Sequence, residues 1–230
     1  MDVLSFELDR DEFNQRLGGG FPKGSLVLFE GGNGSGKSSI CQRIAYGLLK
    51  NDHTVTFIST TLSTKGFISQ MYSMDYPIGL HLLRDELLYI PVLPLIKSSK
   101  SRSDFIERLM GAKPLFGKEV IIIDALSSLI KQSADLKKVI NLISFFRKIT
   151  GHGKVIIFTI DPSELDEDVI SEFTSDADIY CTLKVRTLGN DIKRSIIVNR
   201  FTGAKSPVGG IIGFRIEPHV GLVVEIASIS

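Results

Sequence analysis

The stretch Gly31-Gly32-Asn33-Gly34-Ser35-Gly36-Lys37-Ser38 decides the fold. It has the order of the P-loop (Walker A) motif, whose glycines let the backbone turn with its N–H groups toward a phosphate. A short apolar run at 25–29 precedes it, and apolar residues at helical spacing over 38–50 follow it. This motif belongs between a strand and a helix, whose N-terminus also favours an anion. The stretch therefore predicts nucleotide binding, with a glycine-rich structural turn as the alternative.

The polar groups of the motif have expected roles. Lys37 is long enough to reach the β- and γ-phosphates, and the Ser38 hydroxyl is the type of group that binds Mg²⁺ there. A second metal ligand is predicted at Asp124, which follows the apolar strand 120–123 at the carboxyl edge of the sheet, where α/β proteins bind ligands. The alternative for Asp124 is an N-cap of the following helix. The residues predicted to hold the nucleotide are Gly32, Asn33, Gly34, Ser35, Gly36, Lys37 and Ser38.

Hydrolysis of a nucleotide also needs a carboxylate that orients the attacking water, and the sequence lacks one at the expected positions. No acidic residue lies between Asp52 and Asp75, the region in which the strand 54–58 ends. The residue after Asp124 is Ala125, so an adjacent glutamate is missing as well. The pattern predicts good ATP binding with slow intrinsic hydrolysis.

Two nearby residues are candidates for parts of this chemistry. Glu30 lies immediately before the P-loop and is a candidate catalytic carboxylate, with an ion-paired structural glutamate as the alternative. Thr159 ends the apolar strand 155–158 and is a candidate sensor of the γ-phosphate, with structural packing of its hydroxyl as the alternative. Neither candidate alone identifies the chain as an enzyme.

Apolar runs alternate with helical patterns along most of the chain and give way to strands alone near its end. This order indicates an α/β fold with a mostly parallel central sheet flanked by helices, followed by a C-terminal antiparallel β-hairpin extension. The predicted strands are 25–29, 54–58, 87–92, 119–123, 154–160, 179–185, 195–200, 211–216 and 222–226, with a turn at 188–191. The predicted helices are 38–50, 65–73, 103–110 and 134–150.

Length and composition fit one soluble intracellular domain spanning residues 1–230. The formal net charge is +1 and 43% of the residues are apolar, so the chain has material for a core and no strong nucleic-acid signal. Cys41 and Cys181 form no disulfide framework or metal pattern. The start of the sequence is unlike a signal peptide, and no apolar run approaches the ~20 residues of a membrane-spanning helix. The polar segment 97–102 is predicted to be a solvated loop.

The segment Leu17-Gly18-Gly19-Gly20-Phe21-Pro22-Lys23-Gly24-Ser25 resembles the lead-in of the KaiC group of RecA-superfamily ATPases. The order of motifs is also similar over residues 5 to 226: lead-in, P-loop, threonine-rich end of the second strand, Asp124 and a β-hairpin tail. Within that group the chain looks most like the FlaH family, the accessory ATPase homologues of the archaeal flagellum (archaellum) motor. Proteins of that family lack the KaiC glutamate pair where this chain has Ser59 and Thr60.

This resemblance implies a RecA-like P-loop NTPase fold and assigns further residues. It extends the phosphate site to Ser39. It also implies that a basic residue of the tail hairpin acts in trans on a neighbour's nucleotide, here Arg200 or Lys205, because Asn199 replaces a lysine of the KaiC pattern. The alternative is a solvent-facing cation on an edge strand. In relatives the segment matching Pro218-His219 lies near the nucleoside.

The resemblance further implies cofactors, partners and a location. ATP and Mg²⁺ would bind, and the protein would be cytoplasmic, at the face of the membrane motor complex and attached only through partners. Those partners would be the motor and secretion ATPase FlaI and its scaffolding ring, with a hexameric ring of the chain itself as a further arrangement. ATP occupancy would act as a switch, because a γ-phosphate and Mg²⁺ order loops without being hydrolysed.

Two other classes of protein compete with this interpretation. An active RecA- or KaiC-type ATPase in DNA repair or signalling would share the P-loop. A recombinase, however, carries basic, glycine-containing DNA loops after the metal-binding strand, whereas 125–131 leads into a helix, and little sequence precedes Leu17. A small-molecule kinase needs an arginine-bearing lid, for which 97–102 is a poor substitute. Salt-sensitive binding to single-stranded DNA would favour the first class, and phosphate transfer to a small acceptor the second.

Overall fold

The computed structural model describes residues 2–92, 104–188 and 191–225. Its strands are β1 (Val3–Leu4), β2 (Phe21–Pro22), β3 (Leu26–Glu30), β4 (Val55–Ser59), β5 (Leu87–Pro91), β6 (Val120–Asp124), β7 (Val155–Ile160), β8 (Ile179–Leu188), β9 (Asp191–Phe201), β10 (Ile211–Glu217) and β11 (Gly221–Glu225). Nine of them form one sheet in the order β11-β10-β9-β8-β3-β7-β6-β4-β5, and β1 pairs with β2 separately.

The sheet has a parallel part and an antiparallel part. From β5 through β4, β6, β7 and β3 to β8, every neighbouring pair is parallel. From β8 through β9 and β10 to β11, every pair is antiparallel. The predicted mostly parallel sheet with an antiparallel extension at the C-terminal end is confirmed.

Helices cover both faces of the parallel part. They are α1 (Phe13–Arg16), α2 (Lys37–Lys50), α3 (Thr64–Ser73), α4 (Gly79–Leu83), α5 (Phe105–Gly111), α6 (Leu126–Ile130), α7 (Leu136–Thr150) and α8 (Glu167–Asp176), with short 3₁₀ turns at Lys113–Phe116 and Pro162–Glu164. Side chains of a strand alternate between faces. Val27 and Phe29 pack with α2 and α3, whereas Leu26 and Leu28 pack with α6, α7 and α8.

The strand register brings the polar ends of several strands to one edge. The strands β6 and β7 are buried throughout, which matches their continuous apolar runs. Ser59 pairs with Asp124 across β4 and β6, and Glu30 pairs with Ile160 across β3 and β7. The carboxyl ends of these four strands therefore meet beside the P-loop, which follows β3.

The structure differs from the sequence prediction in identifiable places. The helices α1, α4, α6 and α8 and the strands β1 and β2 were not predicted. All of them except α8 are short, and α8 buries only Val169 and Phe173 among many acids. The alternative that placed Arg200 on an edge strand does not describe β9, which lies between β8 and β10 in the sheet. The predicted loop 97–102 and turn residues 189–190 lie outside the described residues.

In the part of the chain that the structure describes, no helix has both the length and the apolar content to cross a membrane.

Candidate functional site

The P-loop forms an open cradle between β3 and α2. Gly34 and Gly36 have φ values of 76° and 96°, which favour glycine, and a Cβ added at Gly32 or Gly34 would meet nothing within 4 Å. The Ser35 hydroxyl is buried and has no hydrogen-bond partner among the residues that the structure describes. A concavity with an unsatisfied buried hydroxyl group fits a phosphate. The adjoining cavity of about 420 Å³ is lined by Asn33, Gly34, Ser35, Gly36, Lys37, Ser38, Ser39, Arg194 and Ile216.

Lys37 begins α2, and its side chain turns back over the loop. Its Nζ donates to the carbonyl of Gly31 at 2.5 Å and to that of Gly32 at 2.9 Å. It also lies 3.8 Å from Asp161 Oδ2, and only 10% of the Lys37 side chain is exposed. A nucleotide phosphate at this position would thus compete with two carbonyls and one carboxylate for the same ammonium group.

Asp124 ends β6 and is 2% exposed, on the α2 side of the sheet. Burial raises the pKa of its carboxyl, although hydrogen bonds from Ser38 and Thr159 and the charge of Lys37 lower it in part. A raised pKa means that folding favours the protonated carboxyl. This contribution to stability is complete below the ordinary pKa of the group and is lost as the pH rises through the raised pKa. Ionised Asp124 is therefore costly to the fold at neutral pH, and a bound cation would offset that cost.

The donor set around Asp124 suits Mg²⁺. Ser38 and Asp124 supply a hydroxyl and a carboxylate oxygen, and Mg²⁺ prefers one or two protein oxygens together with phosphate oxygens and water. Within residues 2–92, 104–188 and 191–225, no group of three or more His, Cys, Asp and Glu side chains could hold a metal by itself. The alternative N-cap role of Asp124 does not apply, because Ala125 is the N-cap residue of α6.

Thr159 is fully buried and donates its hydroxyl to Asp124 Oδ1 at 2.9 Å. The side chain proposed as a γ-phosphate sensor therefore orients the carboxylate predicted to bind the metal. Its environment favours the structural alternative for the hydroxyl.

Ser59 and Thr60 occupy the positions at which an orienting carboxylate was expected, and Thr60 is 4% exposed. Its amide donates to the carbonyl of Asp124 at 2.8 Å, and its Oγ1 accepts a hydrogen bond from the amide of Ala125 at 3.0 Å. The residue thus fastens the end of β4 to the end of β6. Glu30, the other candidate, accepts a hydrogen bond from the Tyr180 hydroxyl at 2.6 Å. Its partner is therefore a phenol, whereas the sequence alternative expected a cation.

The residues predicted to act in trans or near the nucleoside lie away from the cavity lining. Arg200 donates to the carbonyls of Thr174, Ser175 and Ala177, at the C-terminal end of α8 in the same chain. Lys205 is exposed in the turn after β9, and its amide donates to the carbonyl of Gly18. The amide of His219, next to Pro218, donates to the carbonyl of Ser73. Ile216, three residues before His219, is the tail residue that reaches the cavity together with Arg194.

Sequence reasoning missed Arg194 and Asp161. Arg194 lies on β9 opposite Phe214 of β10, and its Nε donates to the carbonyl of Gly34 at 3.1 Å. It thus brings a second cation to the cavity from a strand far along the chain. No local motif marks Arg194, whereas Asp161 directly follows the apolar strand β7 and had the same signal as Asp124.

Replacing Arg194 with alanine is expected to raise the Kd for ATP about tenfold, a loss of about 1.4 kcal/mol, because a cation that lines the cavity is lost. Equilibrium titration with a fluorescent ATP analogue measures this change. Arg186→Ala is the matched control. Arg186 is exposed, and it points to the opposite face of the sheet from Arg194, because its neighbour Val185 is the residue paired with Arg194. Equal affinities for Arg194→Ala and the wild type would contradict the assignment.

Comparison with known proteins identifies the family of the chain. The family model for the KaiC ATPases ("ATPase: KaiC") matches residues 11–227. The chain is 40% identical over 230 residues to the archaeal flagellar ATP-binding protein FlaH of Methanocaldococcus jannaschii, covering 100% of this chain and 99% of that protein. It is 36% identical to FlaH of Methanococcus voltae over 100% of both chains.

Solved structures show the same likeness. The crystal structure of the flagellar accessory protein FlaH from M. jannaschii superposes with a TM-score of 0.94, covering 98% of this chain and 100% of that chain. A KaiC-like protein from Pyrococcus horikoshii superposes with a TM-score of 0.72 at 20% identity, over 98% of this chain and 100% of that chain, and shows the shared fold alone. The expected RecA-like, KaiC-like α/β fold is thereby confirmed.

Proposed function

Because the chain belongs to the KaiC family of ATPases and, within it, to the FlaH proteins, we propose that it is an ATP-binding subunit of the archaellum motor. In this proposal it is a single domain that acts in motility as a nucleotide-dependent switch with little intrinsic hydrolysis. One observation carries the proposal. The P-loop cradle, Lys37 and Asp124 lie close together, which supports a nucleotide site, while Ser59 and Thr60 stand where the orienting carboxylate was expected and Thr60 makes hydrogen bonds to the Asp124–Ala125 backbone.

ATP and Mg²⁺ are the proposed ligands of this site. The backbone of 32–36 and the Lys37 ammonium group would hold the phosphates, and Ser38 and Asp124 would hold the metal. Mg²⁺ supplies positive charge that screens the phosphates and the buried Asp124 carboxylate. Ser39 and Arg194 line the same cavity and would face the nucleotide as well.

The proposed partners are the motor and secretion ATPase FlaI and its scaffolding ring, at the cytoplasmic face of the membrane complex. Support comes from the names of the relatives, which are described as archaeal flagellar ATP-binding proteins. A hexameric ring of the chain is part of the same proposal. Because Arg200 caps α8 of its own chain, Lys205 is the better candidate for a contact in trans. A surface that differs between nucleotide states would report ATP to these partners.

Capture of FlaI tests the proposal. The wild type, Lys37→Ala and Asp124→Asn are immobilised in turn and mixed with FlaI, with and without ATP and Mg²⁺. We expect ATP to change the amount of FlaI captured by the wild type and to have no effect on either variant. If capture is absent, or is identical for all three proteins in every nucleotide state, the switch proposal fails.

An active ATPase in DNA repair or signalling is the second candidate. Asp161 brings a carboxylate to within 3.8 Å of Lys37, where such a group would be able to orient an attacking water. Steady-state phosphate release distinguishes the two. Turnover in the range of about 1–10³ per second that is usual for enzymes would favour the active ATPase. Turnover far below that range favours the switch.

A further inference from the structure

Asp161 follows β7 and presents one carboxylate oxygen to the phosphate site. Its Oδ1 accepts hydrogen bonds from the amide and the hydroxyl of Ser163, at 3.0 and 2.7 Å. Its Oδ2 lies 3.8 Å from Lys37 Nζ, and 15% of the Asp161 side chain is exposed. The carboxylate is thus held in one orientation, with its second oxygen toward the cation that the phosphates need.

Asp161 carries its charge at neutral pH. Burial opposes ionisation, but the hydrogen bonds from Ser163 and the charge of Lys37 outweigh it, so the pKa of Asp161 lies below its ordinary value. A γ-phosphate bound by Lys37 would bring further negative charge next to this carboxylate. At a separation of about 5 Å such charges repel strongly in a partly buried site.

The backbone of Asp161 is tied to α6, the helix that follows the metal-binding strand. Its amide donates to Ser127 Oγ at 3.0 Å, and Ser127 Oγ donates to Glu164 Oε2 at 2.8 Å. Glu164 also accepts hydrogen bonds from the Ser128 hydroxyl at 2.7 Å and from Lys131 Nζ at 3.0 Å. A shift of Asp161 therefore acts on both ends of α6.

We propose that Asp161 discriminates ATP from ADP because it competes with the γ-phosphate for Lys37, and that its displacement moves α6 through the hydrogen bonds of Ser127 and Glu164. The inference rests on the proposed ATP site and names its regulation. With ADP the β-phosphate shares the Lys37 ammonium group with Asp161, and no γ-phosphate repels the carboxylate. With ATP the γ-phosphate takes the ammonium group and repels the carboxylate, so Asp161 and α6 change position together.

Asp161→Asn tests the proposal, because it removes the charge and keeps the shape and the acceptor for Ser163. In the presence of Mg²⁺ the variant is expected to bind ATP about tenfold more tightly than the wild type, with a smaller gain for ADP. Hydrogen exchange of the amides of 126–131 is expected to differ between ATP and ADP in the wild type and to be the same in the variant. Asp168→Asn, an exposed change on α8, is the matched control and should behave as the wild type.

Glu164→Gln provides an independent variant, because it leaves Asp161 in place and weakens the tie to α6. It should retain the ratio of ATP to ADP affinities and lose the exchange difference at 126–131. The proposal is overturned if Asp161→Asn keeps both the wild-type affinity ratio and the exchange difference. It is also overturned if Asp161→Asn lowers phosphate release with unchanged affinities, which would make Asp161 a water-orienting residue. Failure of the wild type to bind ATP would instead refute the proposed function itself.

Discussion

Replacing Lys37 with alanine is expected to raise the Kd for ATP at least about a hundredfold, a loss of about 2.7 kcal/mol. The ammonium group is the cation at the centre of the cradle, and only 10% of its side chain is exposed. Its removal also leaves Asp161 without its partner beside the phosphates, so the variant loses an attraction and retains a repulsion. The effect on binding should exceed that of Arg194→Ala.

Thermal unfolding with and without ligand measures this loss. At a concentration of ATP about a hundred times the wild-type Kd, binding stabilises the native state by about 2.7 kcal/mol, which corresponds to about 5–10 °C for a domain of this size. We expect this increase in Tm for the wild type and almost none for Lys37→Ala. Lys50→Ala, at the exposed end of the same helix, is the control and should keep the full increase. A normal increase for Lys37→Ala would refute the assignment of the site.

Replacing Arg43 with alanine is expected to lower the free energy of unfolding by about 3–5 kcal/mol, because one partner of a buried ion pair is left uncompensated. Arg43 lies on α2 and its side chain is 0% exposed, while that of Asp11 is 3% exposed. The guanidinium donates to both Asp11 oxygens, at 2.7 and 2.6 Å, and to the carbonyl of Phe6 at 2.8 Å. The pair fastens the N-terminal segment to the helix that follows the P-loop.

Urea unfolding measures this destabilisation. Arg16→Ala is a matched control, because Arg16 pairs with Glu12 at 2.7 Å on the surface, where such pairs contribute about 0.2–1 kcal/mol. The double variant Asp11→Ala and Arg43→Ala should lose less than the sum of the single variants, since no unpaired charge remains. A cost for Arg43→Ala as small as that of Arg16→Ala would show that the buried pair contributes little.

The parallel core was predictable because its signals are local. The P-loop motif, the apolar runs of β6 and β7 and the amphipathic pattern of α7 each lie within a few consecutive residues. Burial of both faces of a parallel strand requires such runs, so sequence and structure agree there. The absence of an acid near the end of β4 was equally visible. The hydrogen bonds between Thr60 and the Asp124–Ala125 backbone were not predictable, because they depend on the alignment of β4 with β6.

The missed site residues depend on register between distant strands. Arg194 reaches Gly34 only because β9 pairs with β8, which pairs with β3. A shift of one residue in β9 would move its side chain to the other face of the sheet. The same alignment places Arg200 against the end of α8, so a cation that the family pattern assigned to a neighbouring copy is used within the chain. Pairing of this kind leaves no mark in a single sequence.

The continuous nine-stranded sheet has a mechanical consequence. A load applied to β10 and β11 reaches β3, the strand before the P-loop, through backbone hydrogen bonds across β9 and β8. Force directed across the strands breaks such bonds one after another, whereas force along the strands loads many of them together. The strands β10 and β11 therefore separate more readily under a force perpendicular to the strands than under a force parallel to them. The direction in which a partner pulls would then determine whether its force is felt at the phosphate cradle.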